Sequence, residues 1–283
     1  MSRPVILSIG GDARYIYVNS QMCRLGDVYA CGAVSYYGDT VPVGDMRSFD
    51  KNADMLILPM LNAGGTQIDC SNGKISCEEI APHLSRNALV VGGKLNREVI
   101  EFFSSLGHDV ADYFDREELA VRNCIPTAEG ALSIALNELA VTVFSSKVLI
   151  VGYGRVAKAC AKTFKALGAE VRICARSIAQ LACAENDGMK TSLLSELSDV
   201  IGEADIVINT VPALVVGREA IGRTSQNVLI IDLASSPGGV DHSFAKECGR
   251  KSVLALALPG KTAPVTAGKI IAETIGNIYH ERR

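Results

Sequence analysis

The sequence contains no run of 18 or more apolar residues, the length that a membrane-spanning helix requires. Its first segment, MSRPVILSIGG, has only a short apolar stretch before two glycines, too short for the core and cleavage site of a signal peptide. Long runs of one charge are also absent, and the formal net charge is only −3. These absences argue against a membrane protein and against a nucleic-acid partner, so we expect a cytoplasmic protein.

Patterns that would bind a metal or form disulfides are equally scarce. The nine cysteines form no CxxC pair, and several lie within apolar periodic segments, where a free thiol behaves as a small hydrophobic side chain. The four histidines are far apart and show no ligand-like spacing: His83, His108, His242 and His280. We therefore expect neither a metal site nor a disulfide framework.

Apolar side chains (48%) and glycine (26 residues) are abundant, which is typical of buried parallel sheets joined by tight turns. Short apolar runs alternate with amphipathic stretches over residues 1 to about 115 and again from Lys147. This alternation predicts two series of βα repeats. We therefore predict an α/β fold with two Rossmann-like, doubly wound parallel-sheet domains and a ligand cleft between them.

The predicted domain boundary precedes the segment IPTAEGALSIALNELAVTVFSS. Pro126 and Glu129 begin a helical period with apolar residues at 132, 135, 136, 139 and 143, so a long helix should link the two sheets. The first domain, 1–122, would bind the substrate or a partner. The second domain, 123–283, would bind a dinucleotide and would include the linking helix and a C-terminal helix, PVTAGKIIAETIGNIYHERR.

The clearest motif of the sequence lies in KVLIVGYGRVA, between a predicted strand and a predicted helix. Gly152, Gly154 and Ala157 form GxGxxA, in which the first glycine permits a tight turn and the second lets the backbone approach a pyrophosphate. The small third residue lets helix and strand pack closely. A purely structural glycine turn is the alternative. The predicted dinucleotide site includes the residues of this turn: Gly152, Tyr153, Gly154, Arg155 and Val156.

The end of the next predicted strand, EVRICARS, favours NADP over NAD. NAD-selective sites carry an acidic residue there for the ribose hydroxyl, whereas an arginine can pair with the 2′-phosphate of NADP. The acidic residue of this strand, Glu170, begins it instead of ending it. We predict cofactor contacts at the other end, from Ala175, Arg176 and Ser177, although Arg176 could also be an ordinary surface arginine.

Polar residues also follow the later strands, in INTVP (208–212) and IDLASSPGG (231–239). Because ligands bind at the carboxyl ends of strands in open α/β sheets, these segments could contact the nicotinamide or the substrate, or merely cap loops. The predicted cofactor contacts are Asn209, Thr210, Val211 and Pro212, and the predicted catalytic residues are Asp232 and Lys261. The predicted substrate-binding residues are Asp12, Arg14 and Lys261.

Seven stretches, in this order, make the chain similar to the A subunits of dipicolinate synthase: IGGDAR, IPTAEG, GYGR, ARS, INTVP, DLASSPGGVD and LPGKTAPVTAG. The resemblance covers nearly the whole chain, and the last two stretches are the distinctive ones. It implies a soluble NADP-dependent enzyme in the mother-cell cytoplasm of sporulating bacteria. It also implies oxidation of 4-hydroxy-tetrahydrodipicolinate, or its dehydrated form, to pyridine-2,6-dicarboxylate, together with a flavoprotein-like B subunit.

Three positions depart from the pattern of that family. Ala157 replaces the usual third glycine, which the motif tolerates. Ser236 and Val265 stand where similar proteins often carry a basic residue. These two departures favour Lys261 and Arg14 as the groups that hold the carboxylates of the substrate.

Two other interpretations stay open. A different NADP-dependent dehydrogenase, of the shikimate or hydroxyacid type, would share the glycine turn and INTVP. Such enzymes typically need a Lys–Asp or His–carboxylate pair, and the sequence shows no convincing one. The second interpretation is a non-catalytic nucleotide-binding subunit that stabilises a flavoprotein partner. By analogy with other proteins of this architecture, we also expect a homo-oligomer.

Overall fold

The computed structural model describes residues 3–61 and 64–282, which form two compact units. The first unit contains the chain up to Asn123 and the segment from Ala263 onward, and the second runs from Cys124 to Thr262. Each unit is built around a six-stranded sheet in which all neighbouring strands are parallel. The predicted α/β class with two Rossmann-like domains is confirmed.

The first sheet is formed by β1 (Val5–Ile9), β2 (Asp27–Cys31), β3 (Val41–Val43), β4 (Ala53–Met60), β7 (Leu84–Gly93) and β8 (Asp109–Asp112). Its strand order is β3-β2-β1-β4-β7-β8. An antiparallel hairpin of β5 (Gln67–Cys70) and β6 (Gly73–Ser76) is inserted between β4 and β7. The helices of this unit are α1 (Ala13–Met22), α2 (Cys77–Ile80), α3 (Arg97–Ser105), α4 (Glu117–Arg122) and α12 (Pro264–Glu281).

The C-terminal helix α12 belongs to the first unit, whereas the sequence assigns it to the second. It packs along α1, where a Cβ at Gly268 would come within 2.4 Å of the Arg14 carbonyl oxygen. Only a residue without a side chain allows this approach. The apolar face of α12 is buried in the core of the first unit by Ile271, Ile275 and Ile278. The second unit therefore ends at Thr262 and not at residue 283.

The second sheet is formed by β9 (Lys147–Val151), β10 (Glu170–Ala175), β11 (Lys190–Leu193), β12 (Ile206–Asn209), β13 (Leu229–Asp232) and β14 (Lys251–Leu254). Its order, β11-β10-β9-β12-β13-β14, is that of a dinucleotide-binding fold, with the reversal between β9 and β12. The helices are α5 (Cys124–Glu138), α6 (Arg155–Ala166), α7 (Ile178–Asn186), α8 (Leu197–Val200), α9 (Arg218–Arg223), α10 (His242–Glu247) and α11 (Leu258–Thr262). None of the helices in the described part of the chain has both the length and the apolar character needed to cross a bilayer.

The predicted linking helix is present as α5, but it is shorter than predicted, and one of its predicted apolar positions faces solvent. It ends at Glu138, and Leu136, one of the predicted apolar positions, is 61% exposed. The buried face consists of small residues, including Ala128, Gly130 and Ala131. A Cβ at Gly130 would lie 3.0 Å from the Leu258 side chain of α11, so small residues let α5 pack closely against its neighbours. The close approach of α5 to its neighbours therefore requires small side chains on this face of the helix.

Candidate functional site

The glycine turn after β9 lies where the strand order of the second sheet reverses. Gly152 has φ +94°, a left-handed conformation that favours glycine. Its N–H donates to the Cys174 carbonyl oxygen of β10 (2.8 Å), and a Cβ here would come within 2.6 Å of Thr210 Oγ1 beside β12. The turn is therefore held between the carboxyl ends of two neighbouring strands, the place where open α/β sheets bind ligands.

Gly154 begins α6 and leaves the first turn of the helix open. It is the N-cap residue with φ −81°, and no side chain in the described part of the chain caps the helix. A Cβ at Gly154 would meet nothing within 4 Å, whereas Ala157 on the same helix is fully buried against the sheet. The N–H groups of this turn and the positive end of the helix dipole fit a pyrophosphate, which would take the space beside Gly154.

The three other predicted residues of the turn differ in what they can offer a ligand. Tyr153 is only 2% exposed, and its hydroxyl donates to Asp187 Oδ2 (2.6 Å). Burial, reinforced by this hydrogen bond to a carboxylate, raises the pKa of Tyr153 well above its ordinary value. Tyr153 can therefore contribute only its backbone, while Arg155 is exposed and Val156 is half-buried at the start of α6.

The carboxyl end of β10 presents an arginine and no acid. Ala175 is buried, Ser177 caps α7 by accepting the Gln180 N–H (3.4 Å), and Arg176 between them is exposed. Within residues 3–61 and 64–282, the Arg176 guanidinium has no hydrogen-bond or ion-pair partner. Glu170 lies at the opposite end of the strand, where it pairs with Lys190 (3.1 Å), as the sequence predicts. The end of β10 thus offers an uncommitted cation to a ligand.

The segment after β12 is tied to its surroundings by short hydrogen bonds. Thr210 Oγ1 donates to the Val151 carbonyl oxygen of β9 (2.8 Å). Asn209 is fully buried, and its side chain both donates to the Val211 carbonyl oxygen (3.0 Å) and accepts the Val211 N–H (3.2 Å). Pro212 is exposed beyond them. Asn209 and Thr210 therefore fix the shape of this edge, and their predicted contacts with a cofactor stay a prediction.

Asp232 lies beneath the same edge, at the end of β13, and is 0% exposed. Its Oδ1 accepts hydrogen bonds from Asn209 Nδ2 (2.8 Å) and from the Ala234 N–H (3.1 Å), and its Oδ2 accepts the Gly239 N–H (2.7 Å). The sequence predicts Asp232 as a catalytic residue. In the structure this carboxylate is fully buried, and its two oxygens hold two loops together, so its catalytic role stays a prediction.

His242, the first residue of α10, completes this cluster and was not predicted from the sequence. Its Nε2 is 3.5 Å from Asp232 Oδ2, and its Nδ1 is 3.0 Å from Ser252 Oγ on β14. The only sequence signal is the pair DH at a helix start, ten residues after the end of a strand. The loop between Asp232 and His242 folds back, and this return brings a histidine and a carboxylate together.

Comparison with known proteins places this geometry in a family. Residues 128–235 match the NAD-binding domain of D-isomer specific 2-hydroxyacid dehydrogenases. The chain is 31% identical to the dipicolinate synthase A subunit of Bacillus subtilis (strain 168), an alignment that covers 98% of this chain and 96% of that one. The chain belongs to the dipicolinate synthase A-subunit family. Its second unit is accordingly a nicotinamide-dinucleotide-binding domain of the dehydrogenase type.

Two solved structures from the dipicolinate synthase A-subunit family share the fold over nearly the whole chain. The protein from Bacillus halodurans is 29% identical, with a TM-score of 0.88 and 98% of each chain covered. The protein from Bacillus subtilis is 29% identical, with a TM-score of 0.87, and the match covers 99% of this chain and 97% of that chain.

The predicted substrate residues of this dipicolinate synthase family member lie in both units. In the first unit the Arg14 side chain is 12% exposed, and its guanidinium is bound by Asp12, with Nη2 2.6 Å from Asp12 Oδ2 and Nε 2.9 Å from Oδ1. Burial raises the pKa of Asp12, but the hydrogen bond and charge of Arg14 outweigh it and lower the pKa overall. Arg14 is therefore neutralised within the unit, which is at odds with its predicted role as a free anchor for a substrate carboxylate.

Lys261, unlike Arg14, is an exposed cation, as its predicted role requires. It lies in α11 of the second unit and is exposed. Its ammonium group has no hydrogen-bond or ion-pair partner in the part of the chain that the structure describes. Lys261 thus remains a candidate for binding an anionic group, and its predicted catalytic role stays a prediction.

The first unit has a glycine turn after β1, but the inserted hairpin fills the space above it. Gly10 has φ +60°, and a Cβ at this residue would come within 2.5 Å of the Asp69 carbonyl oxygen. A Cβ at Gly32, after β2, would lie 2.7 Å from Cys70 Sγ. The hairpin end formed by Asp69 and Cys70 therefore occupies the place where a phosphate would approach. The first sheet has the strand order of a nucleotide-binding fold, but this edge has no room for a nucleotide.

Proposed function

We propose that this chain is the NADP-binding component of a dipicolinate synthase, which oxidises 4-hydroxy-tetrahydrodipicolinate, or its dehydrated form, to dipicolinate during sporulation. Membership of the A-subunit family supports the reaction. Arg176 carries the choice of NADP, because it is an exposed cation at the end of β10, where NAD-selective sites have an acid. The mother-cell cytoplasm as location and a B subunit as partner complete the proposal, and the homo-oligomer stays a prediction.

The proposed reaction removes water from the hydroxylated ring, and then one hydride and one proton, which leaves an aromatic pyridine. The nicotinamide, when bound, supplies the acceptor for the hydride. The contribution of this chain would be positioning: the turn from Gly152 to Arg155 would hold the pyrophosphate at the start of α6, and Arg176 would hold the 2′-phosphate. Lys261 is proposed to bind one carboxylate of the substrate.

The second unit is not built to take the proton through a histidine or a buried acid. Asp232 is fully enclosed, Nδ1 of His242 contacts Ser252, and Nε2 of His242 is buried beside Asp232. Both ring nitrogens thus point inward, so this pair differs from the exposed His–carboxylate pair that a hydroxyacid dehydrogenase needs. We propose that the proton leaves to water, since formation of the aromatic ring itself favours its loss.

The choice of cofactor is tested by the variant R176A. We expect its affinity for NADPH to fall by about 10- to 100-fold, the loss of a charge-assisted hydrogen bond to phosphate, while its affinity for NADH stays unchanged. Isothermal titration of both cofactors measures the two dissociation constants. R223A, an exposed arginine on α9, is the matched control and should leave both values unchanged. An NADPH-to-NADH affinity ratio that is the same in R176A and in the wild type would contradict the proposal.

The reaction is tested by supplying freshly made 4-hydroxy-tetrahydrodipicolinate and NADP to the purified chain, with and without a dipicolinate synthase B subunit. We expect the pyridine absorbance and NADPH to appear together in a one-to-one ratio. Product from the chain alone would place the whole active site in this chain, and product only with both proteins would show that the site is shared or activated by the partner. Absence of product in both mixtures would refute the proposed substrate.

A further inference from the structure

His242 lies beside the buried Asp232 carboxylate, whose negative charge no other basic group among the described residues balances. Asp232 receives its hydrogen bonds from uncharged donors: the Asn209 amide and the N–H groups of Ala234 and Gly239. Among the described residues, His242 is the only basic group within 4 Å of its carboxylate. The His242 side chain is 27% exposed, although its Nε2 is buried.

Ser252 allows the His242 ring to stay in place in both of its protonation states. When the ring is neutral, the Ser252 hydroxyl donates to Nδ1 and the proton on Nε2 faces Asp232. When the ring is protonated, Nδ1 donates to Ser252 Oγ and Nε2 still faces Asp232. The 3.5 Å between Nε2 and Oδ2 is longer than a normal hydrogen bond, and it can shorten when the ring gains charge.

The sheet order places this pair under one particular half of the cofactor. If the adenosine ribose lies at the end of β10, as Arg176 indicates, the nicotinamide nucleotide would lie on the other side of the point between β9 and β12 where the strand order reverses. That nucleotide would then lie above the ends of β12 and β13, which Asn209 and Asp232 terminate. The charge of the pair would act on the nicotinamide, the part of the cofactor that changes charge in the reaction.

We propose that the Asp232–His242 pair makes the preference of the site for oxidised over reduced cofactor depend on pH. With His242 neutral, the pair carries one negative charge and favours the positively charged nicotinamide of the oxidised cofactor. With His242 protonated, the pair is neutral and this advantage disappears, while the uncharged nicotinamide of the reduced cofactor is little affected. This inference rests on the proposed cofactor site and makes His242 a positioning residue.

The other charged groups on the elements around His242 are directed elsewhere. Arg218 of α9 is 3.7 Å from Asp241 and 4.0 Å from Glu247, and Lys251 of β14 pairs with Glu138. Lys246 is exposed on α10. The charged groups on or next to α10 are Asp241, Lys246 and Glu247. Those on the neighbouring elements are Arg218, Glu219 and Arg223 of α9, Asp232 of β13 and Lys251 of β14.

The test is to titrate wild-type chain with NADP⁺ and with NADPH, and in parallel with NAD⁺ and NADH, between pH 6.0 and 8.5. We expect the ratio of the dissociation constants, oxidised over reduced, to rise roughly three- to tenfold as the pH falls. Titration of the 2′-phosphate affects both forms of the cofactor alike and cancels in this ratio. Binding of a nicotinamide cofactor at pH 8.5, in either pair, checks the proposed function separately.

The variant H242Q keeps a hydrogen-bond donor toward Asp232 but cannot become charged. Its ratio should stay at the high-pH value of the wild type across the whole range, with an unchanged melting temperature. H280Q, an exposed histidine of α12, is the control and should follow the wild-type curve. A flat wild-type ratio, or an H242Q curve that rises as in the wild type, overturns the inference. Failure of every cofactor to bind overturns the proposed function together with it.

Discussion

Replacing Gly154 with aspartate should weaken cofactor binding strongly without weakening the fold. Gly154 has an ordinary φ and open space where a side chain would begin, and aspartate is a favoured N-cap residue. We therefore expect the free energy of unfolding to stay unchanged or to rise by about 0.3 kcal/mol. The new carboxylate would lie where the pyrophosphate binds, so the dissociation constant for NADPH should rise by roughly 100-fold or more.

The matched control for this variant is G154N, which has nearly the same size and also caps the helix but carries no charge. Isothermal titration and urea unfolding of both variants separate the contribution of charge from that of size. We expect G154N to bind NADPH more weakly than the wild type but clearly better than G154D. Unchanged NADPH affinity in G154D would mean that the pyrophosphate does not lie at the start of α6, and the assignment of the glycine turn would have to be abandoned.

The second large effect is expected from Asp232→Ala. The substitution removes the acceptor of three hydrogen bonds, those from Asn209, Ala234 and Gly239, in a part of the unit that water does not reach. Buried donors that lose their partner each cost about 1–3 kcal/mol. We expect the free energy of unfolding of the second unit to fall by about 3–5 kcal/mol, measured as a lower urea midpoint.

Two further variants show whether the cause is the lost acceptor. D232N keeps one oxygen for the donors and should lose about half as much stability as D232A. D199A removes an exposed aspartate of α8 and should change the free energy of unfolding by less than about 0.5 kcal/mol. If D232A unfolded at the wild-type urea midpoint, the described hydrogen bonds would not be holding the two loops.

The sequence predicts those parts of the site that depend on local spacing. Gly152, Gly154 and Ala157 lie within six residues, and the end of β10 follows them by a fixed helical length, so their placement at the carboxyl edge needs only the βαβ pattern. Fold class follows for the same reason, because alternating apolar runs and amphipathic periods specify a parallel sheet locally.

Pairings made by the tertiary fold were not accessible from the sequence. Arg14 looks like a free cation in IGGDAR, and only the structure shows that its side chain is largely buried and its guanidinium bound by Asp12. In the sequence, Asp232 resembles an acidic residue of an exposed loop. The return of its loop toward His242 depends on the contacts of Gly239 with the backbone after β12, and the sequence does not reveal these contacts. Whether a side chain is buried decides these roles, and a sequence predicts burial only where apolar residues recur with the period of a helix or strand.

The assignment of α12 failed for a related reason. Its apolar face could be read from the sequence, but not the surface that it covers. The sequence pattern places the helix with the strands that precede it in the chain. In the structure, Gly268 fits against α1, some 250 residues earlier in the chain. A partner so distant in sequence leaves no local signal.

The return of α12 to the first unit has a consequence for biosynthesis. The layer between α1 and the first sheet takes much of its apolar surface from α12, which is translated only after the whole second unit. Residues Cys124–Thr262 can complete their core while the chain is still being made, whereas the earlier half must wait with α1 uncovered. We therefore expect the second unit to mature before the first, and the nascent first half to be the part that is more exposed to aggregation.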